Sequence, residues 1–225
     1  MSVLLEVRGL SFTYGGQGEL LRDINFALSR GEIVGIMGDS GCGKTTLLNC
    51  LAGIIPHIYG GELHGRVLLK GEDISEMKLR DIAARLGVLF QNPDTQLFSS
   101  AIEDDIVFGP ENLCLKWREI DDSLERSLKA TGITEKRLKN PKTLSGGEAQ
   151  LAALAAVLAL NPEILLFDEA MAYLDNRGVA AVQDCALSLK NEGKGIVMVE
   201  HDESRLKIAD RILYIKDGFL RGELT

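Results

Sequence analysis

The residues best suited to chemistry in this sequence form a glycine-rich loop that matches the pattern G-x-x-x-x-G-K-[ST]. The loop covers residues 38–45 and lies between an apolar run, 33–37, and a predicted helix, 46–51. A strand that ends in such a loop and then opens a helix directs backbone N–H groups, and the positive end of the helix dipole, at one point. The pattern therefore predicts a site for a di- or triphosphate, in which Lys44 reaches the β- and γ-phosphates and Thr45 binds Mg²⁺. The predicted contacts are Gly38, Asp39, Ser40, Gly41, Cys42, Gly43, Lys44, Thr45 and Thr46.

Two adjacent acids at the end of a second apolar run suggest what the nucleotide is for. Residues 162–169 are an apolar run that ends in Asp168 and Glu169, which predicts a buried parallel strand that delivers these carboxylates to the ligand edge of a sheet. Asp168 suits the Mg²⁺ shell, and Glu169 suits a base that polarises an attacking water. An exposed acidic strand end is the alternative for this pair taken alone. Together with the phosphate-binding loop, the pair predicts nucleotide hydrolysis.

A third segment, Ser145, Gly146, Gly147 and Glu148, precedes an alanine- and leucine-rich run. A serine and two glycines before a helix form another anion site at a helix N-terminus. Two such sites and one acidic pair in a single chain suggest two half-sites that face each other across a dimer.

The phosphate-binding loop, the Ser-Gly-Gly segment, the acidic strand end and a downstream histidine occur in the order found in ATP-binding cassette (ABC) ATPases. The chain resembles this family from about Leu5 to Gly222. The resemblance implies a P-loop NTPase of ABC type, with ATP and Mg²⁺ as cofactors and a second ABC ATPase domain, identical or homologous, as partner. It also implies one nucleotide-binding domain over 1–225. In that domain, 1–94 and 142–225 form the ATP-binding core, and 95–141 form a helical insertion that leads to the signature, residues 145–148.

The resemblance also assigns roles to individual residues. Lys44, Gln91, Glu169 and His201 are the implied catalytic residues, and Thr45, Gln91 and Asp168 are the implied metal ligands. Residues 172–175 resemble the loop that crosses the dimer interface, which makes Asp175 a nucleotide-site residue along with the signature. Tyr14 takes the place of the aromatic that stacks on adenine. The alternatives are a packed surface residue for Tyr14, a structural histidine for His201 and a turn residue for Asp175.

A narrower similarity, over 90–99 and 103–113, is to the ATPase subunits of energy-coupling-factor (ECF) importers of vitamins, cobalt or nickel. It implies integral-membrane transporter subunits as partners and a cytoplasmic location on the inner face of the membrane. The stretch 55–63 is similar to ATPases placed with thiamine-precursor uptake. Because the chain ends before the C-terminal helical segment usual in ECF ATPases, one cassette of a tandem protein is an alternative. The departures from the family pattern are Leu151, where a basic residue is usual, Ala170, where proline is usual, and Met171 and Tyr173, where small residues are common.

The residues themselves support an α/β fold. Alternating polar and apolar residues over 4–28, with a glycine-rich break, predict antiparallel strands, and from Gly31 onward strands alternate with helices as in a parallel sheet. Residues 92–100 join that sheet to the predicted insertion. Their apolar pair, Leu97 and Phe98, predicts a surface for a membrane partner, with anchoring of the loop to its own domain as the alternative.

Composition limits the remaining possibilities. The 225 residues are 45% hydrophobic, enough for one large core, and the formal net charge of −8 argues against a nucleic-acid surface. No apolar run approaches the roughly 18 residues of a spanning helix, and the N-terminus does not resemble a secretory leader. The cysteines show no ligand or disulfide spacing, and three of them, Cys50, Cys114 and Cys185, are predicted to be small apolar side chains. Cys42, in the phosphate-binding loop, is predicted to have a depressed pKa.

Three other functions remain open at this stage. A soluble cassette ATPase of DNA repair or translation would need a coiled-coil insertion or a basic surface, and neither is visible in the sequence. A nucleotide-binding module that only regulates a partner fits the altered signature helix, although the intact catalytic residues weigh against it. A phosphotransferase that shares only the phosphate-binding loop would have no use for the signature.

Overall fold

The computed structural model describes residues 2–16 and 18–222. As predicted, the alternating N-terminal residues form strands of an antiparallel sheet. Side chains that alternate between buried and exposed along the first strand place one face of this sheet on the core. The spatial order is β2-β1-β4-β5. The strands are β1 (Val3–Thr13), β2 (Leu21–Ser29), β4 (Glu62–Leu69) and β5 (Glu72–Asp73).

A second, mostly parallel sheet carries the ends of the predicted strands. Three of its central strands are buried along almost their whole length, which explains their continuous apolar sequences. Since parallel strands share a direction, their carboxyl ends meet at one edge of the sheet. In spatial order the strands are β10 (Phe219–Arg221), which is antiparallel to its neighbour, then β9 (Arg211–Lys216), β3 (Ile33–Met37), β8 (Gly195–Glu200), β7 (Ile164–Asp168) and β6 (Leu86–Leu89).

Helices cover this sheet, and two of them directly follow one of its strands in the chain. The helix after residue 145 is apolar on all sides because it packs against three other helices, α4, α5 and α7. The helices are α1 (Lys44–Leu51), α2 (Ile54–His57), α3 (Leu79–Ala83), α4 (Ile102–Asn112), α5 (Trp117–Thr131), α6 (Gly146–Leu158) and α7 (Asn176–Asn191).

Two apolar clusters lie on opposite faces of the parallel sheet. On β8, Val197 and Val199 contribute to the cluster shared with α1 and the antiparallel sheet. Ile196 and Met198 contribute to the cluster shared with α4, α5, α6 and α7. Alternate side chains of β8 thus join the two clusters to opposite faces of one sheet. We call the cluster shared with α4, α5, α6 and α7 the helical-side cluster. Within the described part of the chain, no helix is both long and apolar enough to cross a membrane.

Candidate functional site

The phosphate-binding loop is already arranged around its lysine. Lys44 is 5% exposed, and its Nζ donates hydrogen bonds to the carbonyl oxygens of Gly38 at 2.8 Å and Asp39 at 3.0 Å. Gly43 precedes α1 with φ at 104°, a left-handed conformation that favours glycine. Because this N-cap residue has no side chain, the first N–H groups of α1 remain available to an anion. The adjoining cavity, of about 200 Å³, is lined by Leu20, Ser40, Gly41, Gly43, Lys44, Thr45, Thr46 and Glu169.

Thr45 and Asp168, two of the predicted metal ligands, are in contact. The Thr45 hydroxyl donates to Asp168 Oδ1 at 3.1 Å, across the gap between α1 and β7. Burial raises the pKa of Asp168, and the neighbouring Glu169 charge raises it further, although Thr45 and Lys44 partly oppose this. A divalent cation at this place would stabilise the ionised carboxylate. One carboxylate and one hydroxyl beside the phosphate-loop cavity fit Mg²⁺, which commonly takes one or two carboxylates plus substrate phosphates.

The predicted catalytic residues converge on the Glu169 carboxylate. Its Oε1 lies 3.5 Å from Lys44 Nζ, and its Oε2 lies 3.3 Å from Gln91 Nε2 and 3.4 Å from His201 Nδ1. These side chains follow β3, β6, β7 and β8, so the shared edge of the sheet brings them together. The Glu169 backbone has φ at 46° and donates to the Val199 carbonyl at 3.0 Å. This left-handed backbone turns the side chain out of the strand direction that Asp168 follows.

Tyr14 lies beside the phosphate-binding helix. Its hydroxyl is 3.4 Å from Thr46 Oγ1, and its ring packs edge-to-face on Phe12 with centroids 4.7 Å apart. The structure therefore places Tyr14 near the predicted nucleotide, partly packed against its own sheet. Both the stacking role and the packing role are compatible with this position.

The signature begins α6 with a reciprocal capping arrangement. Glu148 Oε2 accepts from the Ser145 N–H and hydroxyl, both at 2.9 Å, and the Glu148 N–H donates to Ser145 Oγ at 3.4 Å. Lys136 lies 2.9 Å from the same carboxylate, and this contact, together with those of Ser145, lowers the pKa of Glu148 to about 2. The neighbouring cavity, of about 540 Å³, is lined by Ser145, Gly146, Gly147, Glu148, Leu151, Tyr173, Leu174, Asp175, Arg177, Gly178 and Ala181.

Asp175 faces the signature cavity and caps α7, accepting from the Gly178 N–H at 2.8 Å. The N-termini of α6 and α7 lie close together here. A Cβ added at Gly147 would lie only 2.9 Å from the Gly178 Cα. Among the described residues, none lines both this cavity and the phosphate-loop cavity. The predicted half-sites are thus two separate surfaces of one chain.

Two functional candidates are missing from the sequence-based prediction. Gln150 is fully buried and donates to the Phe90 carbonyl at 2.9 Å, which ties the signature helix to the residue before Gln91. A single amide in an uncharged apolar run is the signal that could have identified it. The buried Glu200 and the partly buried Arg205 form an ion pair beside His201 in the chain. Their spacing carries no motif, so only the fold reveals them.

The prediction for the loop at 92–100 is partly wrong. Leu97 is 7% exposed and belongs to the helical-side cluster, so it anchors the loop to its own domain. Phe98 is 66% exposed and stacks edge-to-face with the exposed Phe108. Both Gln91 and Phe98 line a groove of about 530 Å³ between this loop, the signature helix and Tyr173.

The cysteine predictions also need correction. Burial raises the pKa of the Cys42 thiol, because loss of hydration outweighs the attraction of Lys44, so the predicted depressed pKa is wrong. Cys114 is exposed and not an interior side chain. Cys50 and Cys185 are buried as predicted, with pKa values raised by burial to about 12 and about 11.

We therefore expect Cys42 to alkylate slowly. With iodoacetamide at pH 7.5, its rate should be about tenfold below that of Cys114, because the thiolate is the reactive form and Cys42 is half-buried and protonated. MgATP should slow it further by covering the loop, without affecting Cys114. Quantitative peptide mapping measures both rates. Faster labelling at Cys42 than at Cys114, or no effect of MgATP, would contradict the assignment.

Comparison with known proteins gives consistent results. The protein-family model described as ABC transporter matches residues 21–172. The energy-coupling factor transporter ATP-binding protein EcfA of Methanosarcina acetivorans is 38% identical over 96% of this chain and 77% of that protein. A putative ABC transporter ATP-binding protein of Methanosarcina mazei is 40% identical over 96% of this chain, which spans only 37% of that relative's length.

A solved structure gives the same result at the level of the fold. The structure of cbiO1 from Clostridium perfringens, described as part of the ABC transporter complex cbiONQ, superposes with a TM-score of 0.89. It is 31% identical in sequence, and the match covers 98% of this chain and 87% of that one.

Proposed function

Because this chain belongs to the ABC transporter family, we propose that it is a Mg²⁺-dependent ATPase that powers a membrane importer of ECF type. The observation that carries the proposal is the convergence of Lys44, Gln91 and His201 on the Glu169 carboxylate, with distances of 3.3–3.5 Å. These groups suit charge stabilisation, water orientation and proton acceptance, which hydrolysis of a γ-phosphate requires. If these side chains only stabilised the fold, Lys44 and Glu169 would not need to line the cavity at the phosphate-binding loop.

The phosphate-binding loop holds the triphosphate through backbone N–H groups and Lys44. Thr45, Asp168 and Gln91 would hold Mg²⁺, which when bound neutralises charge on the phosphates. Lys44 Nζ lies 3.5 Å from the Glu169 carboxylate. When phosphate oxygens bind Lys44, the Glu169 carboxylate is left to accept the proton of a water that Gln91 helps to orient. His201 donates a hydrogen bond towards the γ-phosphate.

The second half of the active site comes from another cassette. The signature and the phosphate-binding loop border separate cavities in one chain, so neither completes the other. Pairing two cassettes face to face places the signature of each, with its helix N-terminus, against the nucleotide on the other. The partner is a second copy of this chain or a homologous cassette. Two ATP molecules lie in the interface between the cassettes, and Asp175 lies in the loop, residues 172–175, that crosses this interface.

The energy of hydrolysis reaches the transported substrate through a partner. The relatives include proteins described as parts of ECF and cbiONQ transporters, and the chain resembles them over most of its length. The groove between Gln91, Phe98 and Tyr173 suits a helix of an integral-membrane subunit, because it joins exposed aromatic rings to a residue that contacts Glu169. Bound to such a subunit, the chain would work at the cytoplasmic face of the cell membrane.

Phosphate release from MgATP by the purified chain tests the proposal. We expect hydrolysis that requires Mg²⁺, stops with EDTA and falls by about 100-fold or more in Lys44→Ala, because the lysine contacts the phosphates. ATP binding without any hydrolysis would instead favour a regulatory nucleotide-binding module.

If the groove beside Phe98 binds a membrane subunit, Phe98→Ala should reduce transport and not ATP hydrolysis. Transport in vesicles containing the chain and its membrane subunits should fall about fivefold or more, while ATPase activity in free solution and the melting temperature stay near their original values, because an exposed anchor is lost and no core contact is removed. Tyr59→Ala is the matched control, since Tyr59 is 56% exposed and lies outside the groove. Unchanged transport in Phe98→Ala would exclude this surface.

A further inference from the structure

An ion pair between the buried Glu200 and the partly buried Arg205 flanks His201 in the chain and has no part in the chemistry proposed above. Glu200 ends β8 and is 1% exposed, and its Oε2 lies 3.6 Å from Arg205 Nη1. Neither of these two atoms has a hydrogen-bond partner within the described residues. Gln183, on α7, donates to the Arg205 carbonyl at 3.1 Å and fixes the position of the arginine. Buried charges without complete hydrogen bonding are expensive, so this pair needs an explanation.

The pair holds backbone groups of two consecutive residues, Met171 and Ala172, in the segment that follows Glu169. We call this segment, residues 170–175, the interface loop. The Met171 N–H donates to Glu200 Oε1 at 3.4 Å, and Arg205 Nη2 donates to the Ala172 carbonyl at 3.1 Å. One charge thus binds a backbone donor and the other binds a backbone acceptor of the next residue.

These two backbone contacts connect the ion pair to both parts of the site, the Glu169 carboxylate and the surface offered to the second cassette. On one side, Glu200 directly precedes His201, whose Nδ1 is 3.4 Å from Glu169. On the other side, the interface loop begins after Glu169, presents Tyr173 with 77% exposure and ends at Asp175, the cap of α7. Neither Glu200 nor Arg205 lines the phosphate-loop cavity or the signature cavity. An effect on hydrolysis therefore passes through the backbone that they hold or through the charge interaction between Glu200 and Glu169.

Resting on the proposed function, we propose that Glu200 and Arg205 are positioning residues that fix the interface loop, and with it Glu169 and the surface offered to the second cassette. The pair holds the loop only while Glu200 is ionised. When Glu200 loses its charge, the side chain keeps its shape but attracts Arg205 less strongly, so the interface loop becomes more mobile. Misplacement of a catalytic group by about 1 Å is enough to slow a reaction strongly.

The ionisation of Glu200 gives the pair a pH dependence. Burial raises the pKa of Glu200 to about 7, and the negative Glu169 adds to this, although Arg205 and the Met171 N–H oppose it. Asp202 lies 3.9 Å from Arg205 and competes for its charge. The ion pair is therefore complete above about pH 7 and is lost as the pH falls below it. The stability of the fold changes in the opposite direction, because an acid with a raised pKa favours the native state when protonated, and this contribution disappears as the pH rises from about 4.5 to 7.

Glu200→Gln is the direct test, because glutamine keeps the size and the acceptor for Met171 but carries no charge. We expect kcat at pH 8 to fall about tenfold with KM for ATP within about twofold, since positioning and not binding is affected. In the original chain kcat should rise with pH through about 7, and that rise should be absent in Glu200→Gln. Arg205→Met should resemble Glu200→Gln, and Arg205→Lys should recover part of kcat.

Arg211→Met is the matched control, since Arg211 pairs with Glu32 at 2.7 Å and also donates to a backbone carbonyl, but on β9 away from the interface loop. Amide hydrogen exchange over residues 170–175 should be faster in Glu200→Gln than in the original chain and in Arg211→Met. This readout does not require hydrolysis, so it separates the two proposals if the original chain proves inactive. Unchanged exchange in the loop, or a fall in kcat that Arg211→Met reproduces together with a lower melting temperature, would overturn the positioning role.

Discussion

Glu169→Gln should keep ATP binding while turnover falls by about 100-fold or more, because it removes the proposed proton acceptor and spares Asp168, the proposed metal ligand. Glutamine is nearly isosteric, so contacts with Gln91 and His201, now 3.3 and 3.4 Å from Oε2, remain possible. Phosphate-release kinetics measure turnover, and equilibrium binding of ATP measures the ground state. Turnover near that of the original chain would contradict the assignment of Glu169 as the base.

The same variant should accumulate as an ATP-bound dimer. When ATP binds but is not cleaved, the two cassettes have no step that separates them, so sedimentation with ATP should show the dimer and sedimentation without ATP should not. Glu163→Gln provides a control, because Glu163 is a partly exposed glutamate just before β7 that pairs with Lys70 at 2.6 Å. It should hydrolyse ATP normally and show no stable dimer.

Gly146→Asp should abolish hydrolysis by a different route. A Cβ at Gly146 would meet only Leu174 at 3.6 Å and the Tyr173 carbonyl at 4.0 Å, so the fold can accept a side chain here. The new carboxylate would nevertheless lie at the N-terminus of α6, where a phosphate of the partner's ATP should bind, and it would repel that phosphate. We expect ATPase activity to fall about 100-fold or more and ATP binding by the phosphate-binding loop to persist.

The control for Gly146→Asp is Gly146→Ala, which adds the Cβ without charge. If the signature only supported the fold, the two variants would lose activity and melting temperature in parallel. Full activity in Gly146→Asp would exclude the signature from the nucleotide site.

The sequence predicts the site well where the signal is local. The strands that carry the phosphate-binding loop, Asp168 and His201 are continuous apolar runs, because parallel strands in this sheet are buried on both faces. Each chemical group directly follows such a run. Their convergence at one edge of the sheet then follows from the parallel arrangement.

Contacts between distant segments could not be predicted in the same way. Gln150 and the Phe90 carbonyl are separated by 60 positions, and no local pattern links them. Leu97 and Phe98 are adjacent apolar residues in a polar loop, and only the packing of α4 and α6 decides that the first is buried. For Cys42, the neighbouring Lys44 is visible in the sequence, whereas the burial that raises the thiol pKa is not. The Glu200–Arg205 pair depends on the path of the interface loop, which the sequence does not specify.

The most direct test of the composite active site mixes two variants that are each inactive. Lys44→Ala loses the phosphate-binding lysine but keeps its signature, and Gly146→Asp loses the signature but keeps its lysine. A dimer of one copy of each contains one intact site, so the mixture should recover up to about a quarter of the original ATPase activity at equal concentrations if the two sites act independently. Activity of the mixture no higher than the sum of the two separate variants would contradict an active site shared between two copies of this chain.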